Sequence, residues 1–245
     1  MSTAVRTPAR TTGNLLLDAL PIDDRAHLDP ELEPFPLATG YTIYEPDADL
    51  THVYFPCDGV VSMVCATETG VVEVGTIGRE GMTGIPALLH ARSMPTRTFV
   101  QVPGDSWRVP MGTFREAVER SRAIERLLLR YVLAFIDQLA QSVACNRLHT
   151  LEERCARWIL MTHDRVTGDE LLLKHTFLAE MLGVHRPAVT VAAGALQRAG
   201  LISYRRGRIQ VVDRAGLEEA ACECYVMQQR AIERLWRLGS APLRE

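Results

Sequence analysis

The chain has 245 residues, enough for one large domain or two modest ones at roughly 150 residues each. Hydrophobic residues make up 47% and charged residues 23%, the balance of a folded globular protein that can bury a core without disulfide or metal staples. The net charge of −3 excludes a polycation, but the charge is uneven: residues 1–110 carry 7 Arg against 14 acids, and residues 185–214 carry 6 Arg against 1 acid. That local basic excess predicts a polyanionic partner.

The longest apolar run, near 127–136, is interrupted by Arg130 and closed by Asp137, so no stretch of about 18 apolar residues is available to span a bilayer. Leu15-Leu16-Leu17 is cut short by Asp18 and is too brief for a signal peptide. The six Cys are scattered, with only Cys222 and Cys224 close together. The expectation is therefore reduced thiols and a cytoplasmic protein without a membrane partner.

In chain order, residues 1–14 lack periodicity and read as a disordered tail. A short amphipathic turn spans Leu15–Leu28. Residues 15–110 form the first domain. From Phe35 to Val109 it alternates short apolar stretches (Tyr41–Tyr44, His52–Phe55, Val60–Val64, Val71–Ile77, Thr98–Val102, Trp107–Val109) with glycine and proline turns. That spacing predicts an antiparallel sandwich, roll or barrel.

Residues 111–146 predict a long helix. Leu129, Val132, Ile136, Leu139, Val143 and Asn146 recur at three and four, an a/d seam suited to a second copy of the chain, while Leu128 and Phe135 lie on another face suited to the β-domain. Residues 147–245 form the last unit, beginning with a helix over Glu152–Val166. Within it, Thr176–Leu182 predicts a short helix stopped by Gly183. His185-Arg186-Pro187 opens a second helix to about Ala199, and Gly200 ends it. Strands Leu201–Tyr204 and Ile209–Val212 flank Arg205-Arg206-Gly207-Arg208, a basic hairpin, and one helix from Leu217 to Leu238 closes the chain. Helix, tight turn, helix, basic hairpin is a winged helix-turn-helix. In such a unit the first two turns of the second helix meet base edges. His185, Arg186 and Thr190 hold those positions, with Arg186 able to pair bidentately with guanine and Thr190 able to meet a phosphate or a thymine methyl. Thr176, at the start of the preceding helix, joins the DNA-facing set, and Arg205, Arg206 and Arg208 would contact phosphates by charge.

Taken together, these segments resemble the superfamily of the cyclic-AMP receptor and fumarate-nitrate regulators (CRP/FNR). Gly40–Ala48 and His52–Phe55 with Gly59-Val60-Val61 are similar to the family's first β-roll hairpins. Phe177–Arg186 resembles its helix-turn-helix, and Ala199-Gly200-Leu201-Ile202 the lead into its wing. The resemblance implies an α+β chain: an N-terminal antiparallel β-roll like a cyclic-nucleotide-binding domain, a long dimerisation helix and a C-terminal winged helix-turn-helix. It implies a homodimer on double-stranded DNA that binds a two-fold operator, answers an effector and meets RNA polymerase. The other class considered is an effector- or partner-binding module whose helix-turn-helix no longer reads DNA.

The departures are informative. The family's pocket pairs a glutamate for ribose with an arginine for the cyclic phosphate. Here Gly78-Arg79-Glu80-Gly81-Met82-Thr83-Gly84 keeps the glycines but continues into Ile85-Pro86. The arginine position falls on Pro95 or Thr96, with Arg97 displaced by one, which in a strand turns a side chain to the opposite face. The set Gly81, Gly84, Ile85, Thr96 and Arg97 thus reads as a degenerate pocket not expected to take cyclic AMP, and the effector is unknown. Pro187 and Val191 replace a glutamate and an arginine common in the family. No cofactor is expected. The cysteines read as buried thiols rather than metal or redox ligands, and His149 and His163 have no partners at ligand spacing. No nucleophile, base and orienting acid share a recognisable spacing, so no enzyme is expected.

Overall fold

The computed structural model describes residues 11–239, so most of the expected 1–14 tail lies outside the described residues. Its last part is no tail. Asn14 is fully buried, and its amide donates to the carbonyls of Pro56 (2.7 Å) and Gly81 (2.8 Å) while its carbonyl oxygen caps the first helix at Leu17 N. The side chain satisfies groups that would otherwise be buried unpaired, so the folded unit begins before residue 15.

Helices α1 (Leu15–Asp18) and α2 (Ile22–Arg25) lead into β1 (Glu33–Leu37), β2 (Thr42–Tyr44), β3 (His52–Pro56), β4 (Val60–Thr67), β5 (Gly70–Ile77), β6 (Arg97–Val102) and β7 (Gly104–Pro110). These make two antiparallel sheets, ordered β1-β7-β3 and β2-β6-β4-β5. Strand β1 escapes the sequence reading because Pro34 and Pro36 have no N–H to give. It tolerates them as an edge strand paired only with β7. Inside the roll, Leu37, Val61, Met63, Ile77 and Val100 pack with Phe135, which arrives from the following helical region.

That region is two helices, not one. α3 (Met111–Arg120) stops at Ser121, whose extended backbone (φ −125°, ψ 110°) breaks the helix and whose hydroxyl caps α4 (Arg122–Leu148) at Ile124 N, 3.2 Å away. At its far end, Thr150 and Glu153 form a reciprocal capping box that opens α5 (Leu151–His163) and fixes a sharp corner at His149.

The C-terminal unit continues through β8 (Glu170–Leu172), α6 (His175–Leu182), α7 (Arg186–Arg198), β9 (Ile202–Arg205) and β10 (Arg208–Val211), with a sheet order β8-β10-β9. The third strand, β8, is only three residues long and follows directly on a turn, which hides it from pattern reading. Gly183 sits in the left-handed region (φ 64°) and makes the corner between α6 and α7. Arg206 (φ 49°) and Gly207 (φ 78°) both take positive φ, the type I′ geometry that closes a two-residue hairpin. The expected single closing helix is also two, α8 (Arg214–Ala220) and α9 (Cys224–Gly239). They are separated by the extended Ala221, and α9 lies along α4.

Roll and winged unit are tied by buried polar contacts. Trp158 donates to Glu73 (2.7 Å), Arg165 pairs with Glu80 (2.7 Å), and Thr167 N donates to Asp58 (3.0 Å). Phe99 and Phe177 meet edge to face, and α6 packs on β5. A Cβ on Gly78 would lie 2.5 Å from the Arg165 stem, so only glycine permits that ion pair.

Candidate nucleic-acid interface and sensor cavity

His185 is the residue before α7, and Arg186 and Pro187 form its first turn, where a missing N–H costs nothing. The buried face of α7 carries Val189, Ala192, Ala193 and Leu196; the opposite face leaves His185, Arg186, Thr190 and Val191 in solvent, with Val191 62% exposed. Thr176 is exposed at the start of α6, and Arg205 and Arg206 are exposed at the hairpin tip. Two of the expected contact residues are partly engaged. Arg208 forms an ion pair with Glu170 across the sheet, which lowers its availability to a phosphate. The Thr190 hydroxyl donates to the Arg186 carbonyl (3.1 Å) and faces His175 Nδ1 (3.1 Å).

His175 is the positioning residue that sequence reading missed. Its ring stacks on Tyr204 of β9, with centroids 4.0 Å apart and planes 16° from parallel, so one side chain touches α7 and the wing together. Burial, and secondarily the positive charge of Arg186, hold its imidazole below the usual histidine range. Nothing in the spacing of a lone histidine marks it for this role.

The five residues of the degenerate pocket do not come together around a cavity. The space beside Gly81 is filled by Tyr131 of α4, whose hydroxyl a Cβ there would meet at 2.4 Å. Gly84 takes the left-handed conformation (φ 78°) under Tyr44 and Val53. Ile85 packs on the apolar roll interior together with Met94. The Thr96 hydroxyl is buried without a partner. Arg97 points out to Thr42 (2.7 Å) and Glu45 (3.9 Å) and lies over Phe99. A cleft of about 580 Å³ opens elsewhere, at the seam of roll and winged unit, lined among others by Arg79, Glu80, His163, Asp164, Arg214 and Trp236.

On α4 the structure corrects the seam. Leu133 (58% exposed), Ile136 (53%) and Val143 (72%) stand in solvent with Leu129, whereas Val132 is 7% exposed against its own protomer. Leu139 is half-buried beside Gly75. The free stripe is therefore Leu129, Leu133, Ile136, Ala140 and Val143, still spaced by four and three but one residue later at two positions. The competing demand of the roll decides which of two adjacent apolar residues turns inward. By length and apolarity α4 could cross a membrane, but its other face is already packed on the roll and α9.

Residues 153–220 match the family profile of the Crp-like helix-turn-helix domain. Among solved structures, a transcriptional regulator of the crp/fnr family from Eubacterium rectale superposes with a TM-score of 0.65 at 17% identity, covering 89% of this chain and 99% of its own. The fold is that of the CRP/FNR regulators. The CRP-family regulator TTHB099 from Thermus thermophilus gives 0.61 at 20% identity, over 77% of this chain and 96% of its own. The c-di-GMP-responsive global regulator CLP of Xanthomonas campestris gives 0.58 at 13%, over 78% and 99%. A comparison with the curated proteins finds no match. Against the CRP/FNR architecture, β1–β7 are the roll, α4 the long central helix, and α6–α7 with β9–β10 the winged helix-turn-helix.

The structure also brings together residues that sequence reading kept apart. His149, expected to stand alone, lies with Cys145, Cys222 and Cys224 so that their ligand atoms are all within 4.8 Å of one another. Cys155, ten residues from Cys145, is buried elsewhere, and burial pushes its thiol up to about 12.

Proposed function

We propose that this chain is a transcription regulator that binds a two-fold operator on double-stranded DNA as a homodimer. One observation carries the reading: the exposed face of α7 and the basic tip of the adjoining hairpin present base-reading and phosphate-binding groups side by side. Arg186 pairs with a guanine edge. Thr190, its hydroxyl engaged within the protein, offers its methyl, and with Val191 it forms an apolar patch for thymine methyls. Arg205, Arg206 and, more weakly, Arg208 hold phosphates. Dimerisation runs through the free stripe of α4 and sets half-sites about one helical turn apart. Action on DNA places the protein in the cytoplasm, and the reading assigns it no catalysis. RNA polymerase as the protein partner rests on the family resemblance alone.

The roll is proposed to be closed to cyclic AMP, because its interior is apolar and Arg97 is turned outward. A small effector acting through the seam cleft would bias the two domains together, since that cleft is lined from both. The test is a salt series on operator and random duplex. A DNA reader loses affinity linearly in log salt and keeps a sequence preference. Salt-insensitive binding with no preference would favour a module that no longer reads DNA. Calorimetry with cyclic AMP is expected to show no binding; micromolar binding abolished by Arg97→Ala would overturn the closed-roll reading.

A further inference from the structure

We propose that Cys145, His149, Cys222 and Cys224 bind one zinc ion that fastens the winged unit to the end of α4. Cys145 and His149 are four apart, which puts them on one face of the last helical turn. Cys222 and Cys224 bracket the break between α8 and α9, far along the chain. The fold closes these two pairs on each other: Cys145 Sγ lies 3.5 Å from Cys222 Sγ, and Cys224 Sγ lies 3.4 Å from His149 Nδ1. A tetrahedral ion with zinc–sulfur bonds near 2.3 Å spaces its sulfurs about 3.8 Å apart, so the ligand atoms already stand near the edges of such a tetrahedron. All the cysteines are free thiols, and a 3.5 Å separation is far beyond a disulfide bond. The four atoms also lie too close together for a multi-iron cluster, which distributes its ligands over several irons.

The surroundings are those of a metal site. His149 turns Nδ1 to the cysteines while Nε2 faces the carboxylate of Glu223 at 3.2 Å; that outer partner fixes the ring and the tautomer a metal-bound histidine needs. The Gln141 amide donates to Cys224 Sγ at 2.9 Å, a contact that favours the thiolate. All three sulfurs are buried, closing the site to solvent as in structural zinc centres. On binding, each thiol releases one proton, and three thiolates with Zn²⁺ leave one net negative charge. Arg154 and Arg157 act electrostatically on Cys145. Both have a buried Nε without a hydrogen-bond partner, so two guanidiniums stand ready to balance that charge.

The full-length protein, expressed with zinc and purified under reducing conditions, is expected to contain one zinc per chain. Cobalt added to the metal-free protein should develop the thiolate charge-transfer and tetrahedral d–d absorption of a three-sulfur, one-nitrogen site. Cys222→Ser should lose the zinc, Glu223→Gln should weaken binding about 10-fold, and Cys65→Ser, outside the cluster, should keep full stoichiometry. A reduced wild-type chain that comes off the column metal-free and gives no cobalt–thiolate spectrum would overturn the proposal, as would iron in place of zinc. Because the spectrum is read on the wild type, an unstable Cys222→Ser variant leaves the test intact.

Discussion

The roll and the winged helix-turn-helix handle their polar residues in opposite ways. In the roll, Ser62, Glu73, Thr76, Glu80 and Gln101 are spent on contacts within the molecule, and burial raises the Glu73 carboxyl above its usual range. The interior has no spare donor or acceptor for a ligand. In the winged unit, His185, Arg186, Arg205 and Arg206 are left in solvent with few internal partners. A shared fold therefore does not fix where a chain binds. The polar groups left unpaired do: one half is finished as a scaffold, and the other is left open to a partner.

The largest effect should come from breaking the scaffold. Arg165 and Glu80 are both nearly buried, and they join the roll to the winged unit. Arg165→Ala leaves the Glu80 carboxylate buried without its counter-charge, an expected loss of about 3–5 kcal/mol in denaturant unfolding. Replacing both residues with apolar side chains of similar volume should restore much of that loss. A single variant within about 0.5 kcal/mol of the wild type would show that the roll is less closed than the contrast requires.

Dimerisation tests the free stripe. Leu133→Glu with Ile136→Glu would set like charges in a desolvated two-fold interface, an expected cost of several kcal/mol. Sedimentation should show the double variant as a monomer at micromolar concentration. Val132→Glu, by contrast, should unfold the protomer, because Val132 faces its own core. A Leu133/Ile136 variant that kept the dimer mass would place the interface elsewhere.

How much of this was legible in the sequence depended on whether the signal was local. Gly183, Pro187, Gly200 and the Arg-Gly turn carry their own backbone geometry, so the helix-turn-helix and wing could be read directly. The roll strands alternate clearly except β1, where two prolines mask an edge strand. The break at Ser121 and the seam shift at Val132 were hidden, because both depend on what α4 packs against. The Cys145, His149, Cys222 and Cys224 cluster was hidden for the same reason: its two halves are each unremarkable and meet only in the fold.

On the open side, Arg186→Ala should cost roughly 1–3 kcal/mol on operator DNA and relax preference at one base pair. Arg205→Ala and Arg206→Ala should weaken all duplexes alike and flatten the salt slope by about one each. The Glu170 ion pair sharpens the test: Arg208→Ala should change the slope less than either, and Glu170→Gln, which frees Arg208, should steepen it. Equal loss of preference from Arg186 and wing variants would erase the division between base reading and phosphate holding.

The smallest expected effect is a pH response in the open half. The His175 imidazole is held below its ordinary value by burial and by Arg186. With Thr190 donating to the Arg186 carbonyl, its oxygen accepts from His175 Nδ1–H, so the ring is neutral and Nε2 is bare, buried and without a partner. Protonation would put an N–H where no acceptor waits, beside a guanidinium. Because the folded value is the lower one, the neutral ring's contribution is complete above the unfolded histidine value of 6.5. It is lost as pH falls below that value, where the unfolded chain takes up a proton the folded chain resists. The thermal midpoint should therefore decline between about pH 7 and pH 5.5. His175→Phe keeps the stack on Tyr204 but cannot titrate, so its midpoint should decline less over the same interval. Parallel slopes for wild type and variant would move the acid sensitivity to another group, and His175 would then be a packing residue without a pH role.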